Sequence, residues 1–209
     1  MDEIRLQTAQ TNPATPDSLL STITLNPLPA TPPPAPSKLR SVPDSSASVV
    51  SLTERRAKKI LQDGLQKFYE GEVELAAQIF KQSLEVQETA DGFTYLAWMV
   101  SFGGHLDLAI QLCQKAIEKD PEFGNPYNDI GTYLMKKGEL DNAIPWLERA
   151  KQCLRYENRH FPYVNLGRIY LSRGMFLKAL DQFEVALNMA PNDGELRTVV
   201  VHLRKNYRK

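Results

Sequence analysis

Apolar residues recur every three to four positions along most of residues 51–209, which is the spacing of one face of an α-helix. Polar and charged residues fill the positions between them, and no stretch shows the two-residue alternation of a strand. The pattern is interrupted at short intervals by glycine or proline. It therefore predicts an all-α fold built from many short amphipathic helices.

Small residues stand in register along this region. A column of glycines has spacings of 33, 34 and 36 residues: Gly71, Gly104, Gly138 and Gly174. A column of alanines has the same spacings: Ala76, Ala109, Ala143 and Ala179. A third column of small residues precedes these glycines: Gly64, Ala97, Gly131 and Gly167. Seven of the chain's eleven glycines fall in these columns, so the register marks an internal repeat of about 34 residues.

Each column has a physical meaning in a pair of helices. A glycine between two amphipathic helices ends the first one, because the left-handed backbone of a helix stop is free of Cβ strain only in glycine. Small residues inside the helices let two helix axes approach closely, while bulky neighbours such as Phe80, Leu147 and Phe183 fill the flanks. Pro121 and Pro191 lie where second helices must end, since proline cannot continue a helix.

This arrangement resembles the tetratricopeptide repeat (TPR) family, whose unit is a helix–turn–helix of about 34 residues. The resemblance is most specific from Asn165 through Ala186 to Pro191. It implies a right-handed superhelical solenoid whose concave face is lined by the first helix of each unit. The expected parts are a TPR domain over 51–209, with units at about 57–89, 90–123, 124–159 and 160–193, and a capping helix at about 195–206. Four units exceed the three or so that a continuous core needs.

Two units depart from the family pattern. Unit one has Asp63 before the small Gly64, where the family prefers a large apolar residue, and it lacks a closing proline. Unit three has two extra residues between Cys153 and Pro162. We therefore expect a longer second helix or a longer loop in unit three.

Residues 1–50 have a different composition, with nine of the fourteen prolines and no aromatic residue or glycine. Such a segment buries too little apolar area to offset its conformational entropy, so we expect a disordered tail with local polyproline II character. The residues from Pro33 to Lys38 fit a Pro-x-x-Pro-x-basic docking peptide. A plain spacer explains the same residues, and both interpretations stay open.

The charge balance, the cysteine content and the lack of long apolar runs disfavour several classes of protein. The 25 basic residues equal the 25 acidic ones, so no overall field attracts nucleic acid or an anionic membrane. Cys113 and Cys153 are too few for a disulfide framework, and we expect each to be a buried, reduced thiol. No apolar run reaches the length of a membrane helix, and the acidic start differs from a signal peptide. These features favour a cytoplasmic protein.

No pattern of residues predicts an enzyme. The three histidines, His105, His160 and His202, are far apart in sequence and lie in no metal or catalytic motif. Acidic residues occupy helix starts and polar faces, where capping and solvation explain them. We therefore expect no catalytic residue, no metal, no cofactor and no small-molecule substrate.

The first helices carry the residues that face the groove in this family. The predicted peptide-binding groove has seven residues, expected to be solvated in the free protein: Trp98, Phe102, Asn128, Thr132, Lys136, Asn165 and Arg168. Asparagine amides suit a peptide backbone and arginine suits a carboxylate, whereas the aromatic residues also fit a packing role. The chaperone-binding clamp of many family members is a poor match, because unit one presents Leu61 and Leu65 on the comparable face.

The resemblance implies a non-enzymatic scaffold or adaptor that binds a peptide or helix of a partner protein in its concave groove. A structural subunit of a larger complex is the alternative. Basic clusters at 55–59 and 204–209 keep a third class open, an RNA-associated adaptor, although nucleic acid is not favoured as a partner. A repeat fold by itself does not identify the partner.

Overall fold

The structure is a computed structural model that describes residues 51–208, and the predicted disordered tail at 1–50 lies outside the described residues. Within that described part the chain forms nine helices: α1 Leu52–Tyr69, α2 Val73–Val86, α3 Ala90–Phe102, α4 Leu106–Lys119, α5 Gly124–Lys136, α6 Leu140–Gln152, α7 Phe161–Ser172, α8 Phe176–Met189 and α9 Gly194–Tyr207. The helix α1 begins earlier than the repeat alignment suggests, because the Ser51 side chain caps it by accepting from the backbone N–H of Glu54.

The helices pack as consecutive pairs, α1 with α2, α3 with α4, α5 with α6 and α7 with α8. Each pair also packs against the next, and α9 packs against α8. This confirms the prediction of an all-α solenoid made of helix–turn–helix units with a C-terminal capping helix. Because the units follow one another, the first helices α1, α3, α5 and α7 occupy equivalent positions in successive units.

The small-residue column brings the two helices of a unit into contact. A Cβ atom on Gly167 would lie 2.6 Å from the ring of Phe183, and one on Gly131 would lie 2.5 Å from Leu147 Cδ2. Both bulky residues are buried. The regular sequence spacing between the small residue of the first helix and the bulky residue of the second predicted this contact. A bulky side chain on the second helix needs space on the first.

The core runs through the stack rather than through separate units. One cluster of buried residues extends from Leu61 in α1 to Ile169 in α7. A second cluster joins α7 and α8 to the inner face of α9, where Leu203 is fully buried. Cys113 and Cys153 are buried free thiols, as the sequence predicted.

The two extra residues of unit three lengthen the loop between α6 and α7, whereas α6 has 13 residues and the other second helices have 14. This loop lies against the preceding inter-unit loop, where Arg155 N–H donates to the carbonyl of Glu122 at 2.9 Å and Gly124 N–H donates to the carbonyl of Arg155 at 2.9 Å. A short parallel bridge between Phe123 and Arg155 results. The loop is therefore held at a fixed place beside the first helices.

Candidate functional site

Three of the predicted groove residues form a buried hydrogen-bonded cluster between α5 and α7. Asn165 Nδ2 donates to Asn128 Oδ1 at 3.1 Å and to Thr132 Oγ1 at 3.2 Å, and Thr132 Oγ1 donates to the carbonyl of Asn128 at 3.0 Å. Asn128 and Asn165 are each 1% exposed. The expectation that these side chains are solvated is wrong, because short polar side chains on neighbouring first helices meet each other and exclude water.

Arg168 is also withdrawn from solvent, with 8% of its surface exposed. It lines a small cavity of about 50 Å³ between α7 and α9, together with His160, Asp193 and Glu195. Burial lowers the pKa of Arg168, while Glu195 and Asp193 act in the opposite direction. The expectation of a solvated Arg168 is therefore wrong, because the capping helix covers this position and places its own acidic groups nearby.

Trp98 and Phe102 belong to a cluster of four aromatic residues at the C-terminal ends of α1 and α3. We call this cluster the aromatic ledge: Phe68, Tyr69, Trp98 and Phe102. The Trp98 ring lies 4.3 Å from that of Phe68 and 5.3 Å from that of Phe102. Trp98 is only 3% exposed, whereas Tyr69 is 45% and Phe102 is 53% exposed. Trp98 thus forms the buried base of the ledge, and Tyr69 and Phe102 form its solvent-facing surface.

Lys136 is the remaining predicted groove residue, and it is exposed at the end of α5. Its Nζ lies 6.0 Å from the centre of the Tyr133 ring. Burial of the ammonium group lowers the pKa of Lys136, and the negative charge of Asp129 offsets this only in part. Lys136 is therefore an accessible cation on a partly apolar support.

A cavity of about 290 Å³ lies between α1 and α3. We call it the groove cavity, and its lining combines apolar and charged side chains: Glu54, Lys58, Leu61, Gln62, Leu65, Thr89, Asp91, Tyr95 and Arg155. Leu61 and Leu65 are buried. The mixture of apolar and charged groups is typical of a site that orients a peptide or a small polar ligand.

Arg155 reaches the groove cavity from the long loop of unit three. Its Nη1 lies 3.2 Å from both carboxylate oxygens of Asp91, and its Nε lies 2.6 Å from Asp120 Oδ2. Its guanidinium also lies 3.6 Å from the centre of the Phe123 ring. Although burial disfavours the charge, Asp91 and Asp120 raise the pKa of Arg155. Sequence reasoning missed this residue, and the two-residue insertion was the only signal that pointed to its loop.

Possible metal ligands and the two cysteine thiols are the other groups to consider in the described part of the chain. No group of three or more metal-binding side chains occurs within residues 51–208. Burial raises the pKa of the Cys113 and Cys153 thiols, which disfavours the reactive thiolate. In the same residues, no helix combines the length and apolar character needed to cross a membrane.

The helix pairs of the structure coincide with repeats that are recognised by comparison with known proteins. The model of the tetratricopeptide repeat family matches residues 122–192, which cover the last two helix pairs. Residues 122–192 are thus tetratricopeptide repeats by sequence. The repeat columns and the paired helices place units one and two in the same solenoid, although the family model does not extend to them.

Two relatives of this chain are distant in sequence. Human mitochondrial import receptor subunit TOM70 is 26% identical over 109 residues, which is 51% of this chain but only 17% of TOM70. Photosystem I assembly protein Ycf3 of Prochlorococcus marinus is 23% identical over 134 residues, covering 58% of this chain and 78% of Ycf3. The chain thus spans about a sixth of the TOM70 length.

Solved structures show the same fold at low sequence identity. Pseudomonas aeruginosa pilF has a TM-score of 0.69 and 24% identity, with 75% of this chain and 71% of that chain covered. YrrB, described as a TPR protein with an unusual peptide-binding site, has a TM-score of 0.54 and 20% identity, with 71% and 74% covered. At these identities the comparison shows a shared TPR fold alone.

Proposed function

We propose that this protein, with its TPR fold, is a non-enzymatic scaffold or adaptor that holds a peptide or helix of a partner protein along its first helices. The observation that carries the proposal is the pairing of the groove cavity with the aromatic ledge. Both are formed by α1 and α3, and both present apolar surface next to polar groups. Peptide binding described for YrrB, and the receptor and assembly roles in the names of TOM70 and Ycf3, are consistent with this class of function.

The exposed aromatic rings support a binding role. Tyr69 and Phe102 each pack against the ring of Phe68, and about half of the surface of each remains exposed to water. Large aromatic side chains contribute strongly to protein interfaces, since their rings bury much area at a low cost in side-chain entropy. A partner side chain placed on the ledge would be stabilised by the removal of this apolar surface from water.

The charged rim of the groove cavity supports a polypeptide ligand. Lys58 and Glu54 lie on α1, and the ion pair of Arg155 with Asp91 lies opposite them. Opposite charges around an apolar floor favour one orientation of a bound polypeptide. The groove cavity is partly open to solvent, which would allow a bound polypeptide to continue beyond it.

The RNA-associated alternative has less support from the C-terminal basic cluster. Arg204 Nε lies 2.6 Å from Glu184 Oε1, and Arg208 Nη1 lies 2.8 Å from the same oxygen. These ion pairs neutralise part of the positive charge that an RNA backbone would need. Salt-sensitive binding of RNA to the full chain would reverse this preference. The cytoplasmic location expected from the sequence stays a prediction.

The proposed function is tested with two matched double variants of the full-length chain. The first, Lys58→Glu with Phe102→Ala, changes exposed residues of the groove cavity and the ledge. The second, Lys81→Glu with Leu108→Ala, makes the same kinds of change at exposed positions of α2 and α4. Each protein is immobilised, and the proteins captured from a cell extract are quantified by mass spectrometry.

We expect the first variant to lose at least about tenfold of the partner recovered by the wild type, because it removes an anchor and reverses a rim charge. The second variant is expected to keep its recovery. Circular dichroism at matched concentration verifies that both variants retain the wild-type helicity. Equal recovery by the two variants would place the binding surface elsewhere and contradict the proposal.

A further inference from the structure

Three consecutive first helices present an accessible side chain at the same position. Tyr69, Phe102 and Lys136 each lie two residues before a turn glycine that ends the first helix of the unit. All three are exposed. The aromatic ledge is therefore followed, one repeat further along the solenoid, by a positive charge at the equivalent site.

Lys137 forms two ion pairs, whereas Lys136 forms none with the described residues. Lys137 Nζ lies 2.7 Å from Asp107 Oδ1 and 2.8 Å from Glu139 Oε1. For Lys136, no carboxylate oxygen of residues 51–208 lies within the 4.0 Å of an ion pair. Its ammonium group is partly desolvated beside Tyr133, and the more distant charge of Asp129 compensates this loss of hydration only in part. A carboxylate supplied from outside the chain would compensate that loss.

The distance between the aromatic ledge and Lys136 suits an extended polypeptide. The helices α3 and α5, which carry Phe102 and Lys136, contact each other, as α5 and α7 do. Helices in such contact have axes about 8–10 Å apart. An extended chain advances about 3.3 Å per residue. A ligand residue on the ledge and one on Lys136 would thus be about three positions apart.

We propose that the aromatic ledge and Lys136 form a two-point site for an extended acidic peptide, with an apolar side chain on Tyr69 and Phe102 and an Asp or Glu about three residues away on Lys136. This inference rests on the proposed function and names the chemistry of the partner. An internal carboxylate fits better than a chain terminus, because α7 continues the row of first helices beyond Lys136.

The test is a selection of random dodecapeptides displayed on phage, with the full-length protein as bait. The wild type is expected to enrich peptides with an apolar residue about three positions from Asp or Glu, in one chain direction. Lys136→Glu should enrich Lys or Arg at the acidic position and keep the apolar residue. Phe102→Ala should remove the apolar preference. Lys81→Glu on α2 serves as the control and should select the same peptides as the wild type.

Selected peptides are then synthesised with an amidated C-terminus and measured by fluorescence polarisation. We expect Lys136→Glu to weaken binding of the acidic peptide at least about tenfold, and exchange of the acidic residue for lysine to restore it. If binding requires a free C-terminal carboxylate, the proposal that an internal Asp or Glu contacts Lys136 is wrong. Identical peptides selected by wild type and Lys136→Glu would overturn the site while leaving peptide binding intact. A failure to select any peptide would count against the proposed function as well.

Discussion

Polar side chains on the first helices of this protein have two different roles, and their neighbours decide which. Asn165 meets Asn128 and Thr132 on the adjacent helix and forms part of the buried interface. Lys136 reaches past the edge of that interface into solvent. Short side chains complete their hydrogen bonds within the stack, whereas a long cationic chain keeps its head group accessible. At this scale, the candidate site consists of the residues that the stack leaves uncovered.

The burial of Arg168 leads to a prediction about stability. Arg168→Glu places a negative charge beside Asp193 and Glu195 in a site that excludes most water. We expect the free energy of unfolding to fall by more than about 2 kcal/mol, because a buried charge without an opposite partner is costly. Denaturation with urea, followed by circular dichroism, measures the change.

Lys205→Glu is the control for this charge reversal, since Lys205 is exposed on α9. It should change the free energy of unfolding by less than about 0.5 kcal/mol. If Arg168→Glu is as stable as that control, Arg168 is more solvated than the structure indicates, and its role in a peptide groove returns as an explanation.

The helix pairs depend on a turn that recurs in each unit. In the third unit, Gly138 N–H donates to the carbonyl of Met135 at 3.0 Å, and Glu139 N–H donates to the carbonyl of Leu134 at 2.9 Å. This pair of bonds is the Schellman arrangement, which requires a left-handed residue after the helix, and Gly138 has φ of 79°. The turn sets where α5 ends, and hence where Lys136 meets solvent.

Gly138→Ala tests the backbone requirement by itself. A Cβ atom at Gly138 would meet nothing within 4 Å, so any loss of stability comes from the left-handed conformation and not from a clash. We expect a loss of about 1–2 kcal/mol in the free energy of unfolding. Gly138→Asn should lose less, because asparagine adopts this conformation more readily. Urea denaturation of both variants provides the measurement.

Gly194→Ala is the matched control for the turn glycine. Gly194 is the first residue of α9, and a Cβ atom there also meets nothing within 4 Å. Its φ lies outside the left-handed region, so alanine should leave the stability unchanged or raise it slightly. A similar loss in both variants would show that the turn conformation is not the cause.

The whole molecule behaves as a row of units in which each one covers the next. The last full unit, α7 with α8, would expose an apolar face if α9 were absent, because Leu196, Val200 and Leu203 are buried against it. Terminal elements of repeat proteins have this capping role, since no further unit covers the end of the core. The stability of the row is therefore expected to depend strongly on its C-terminal helix.

Two truncations test this dependence. A chain that ends at Asp193 should melt at a markedly lower temperature or aggregate, because several buried apolar side chains lose their cover. A chain that lacks residues 1–50 should keep its helicity and melting midpoint, since the core described above is built from α1 to α9. Differential scanning calorimetry measures both. A large decrease of the midpoint in the second truncation would show that residues 1–50 contribute to the fold.

Local patterns in the sequence were enough to predict the repeat, the helix pairs and the turns. Glycine before a second helix, alanine within it and proline after it act through the backbone or through contacts within one unit. Their effects do not depend on how successive units are stacked. For the same reason, the position of Phe102 on an exposed face could be predicted from its helix alone.

Only the tertiary structure decided which of the predicted groove residues are accessible. Asn165 is buried because Asn128 and Thr132 lie opposite it on another unit, and Arg168 is covered by a helix about thirty residues later. Arg155 forms an ion pair with Asp91, which precedes it by 64 residues. Such contacts depend on the relative placement of whole units. Periodicity along one helix shows which face points toward the next unit, but the burial of that face depends on the side chains opposite it.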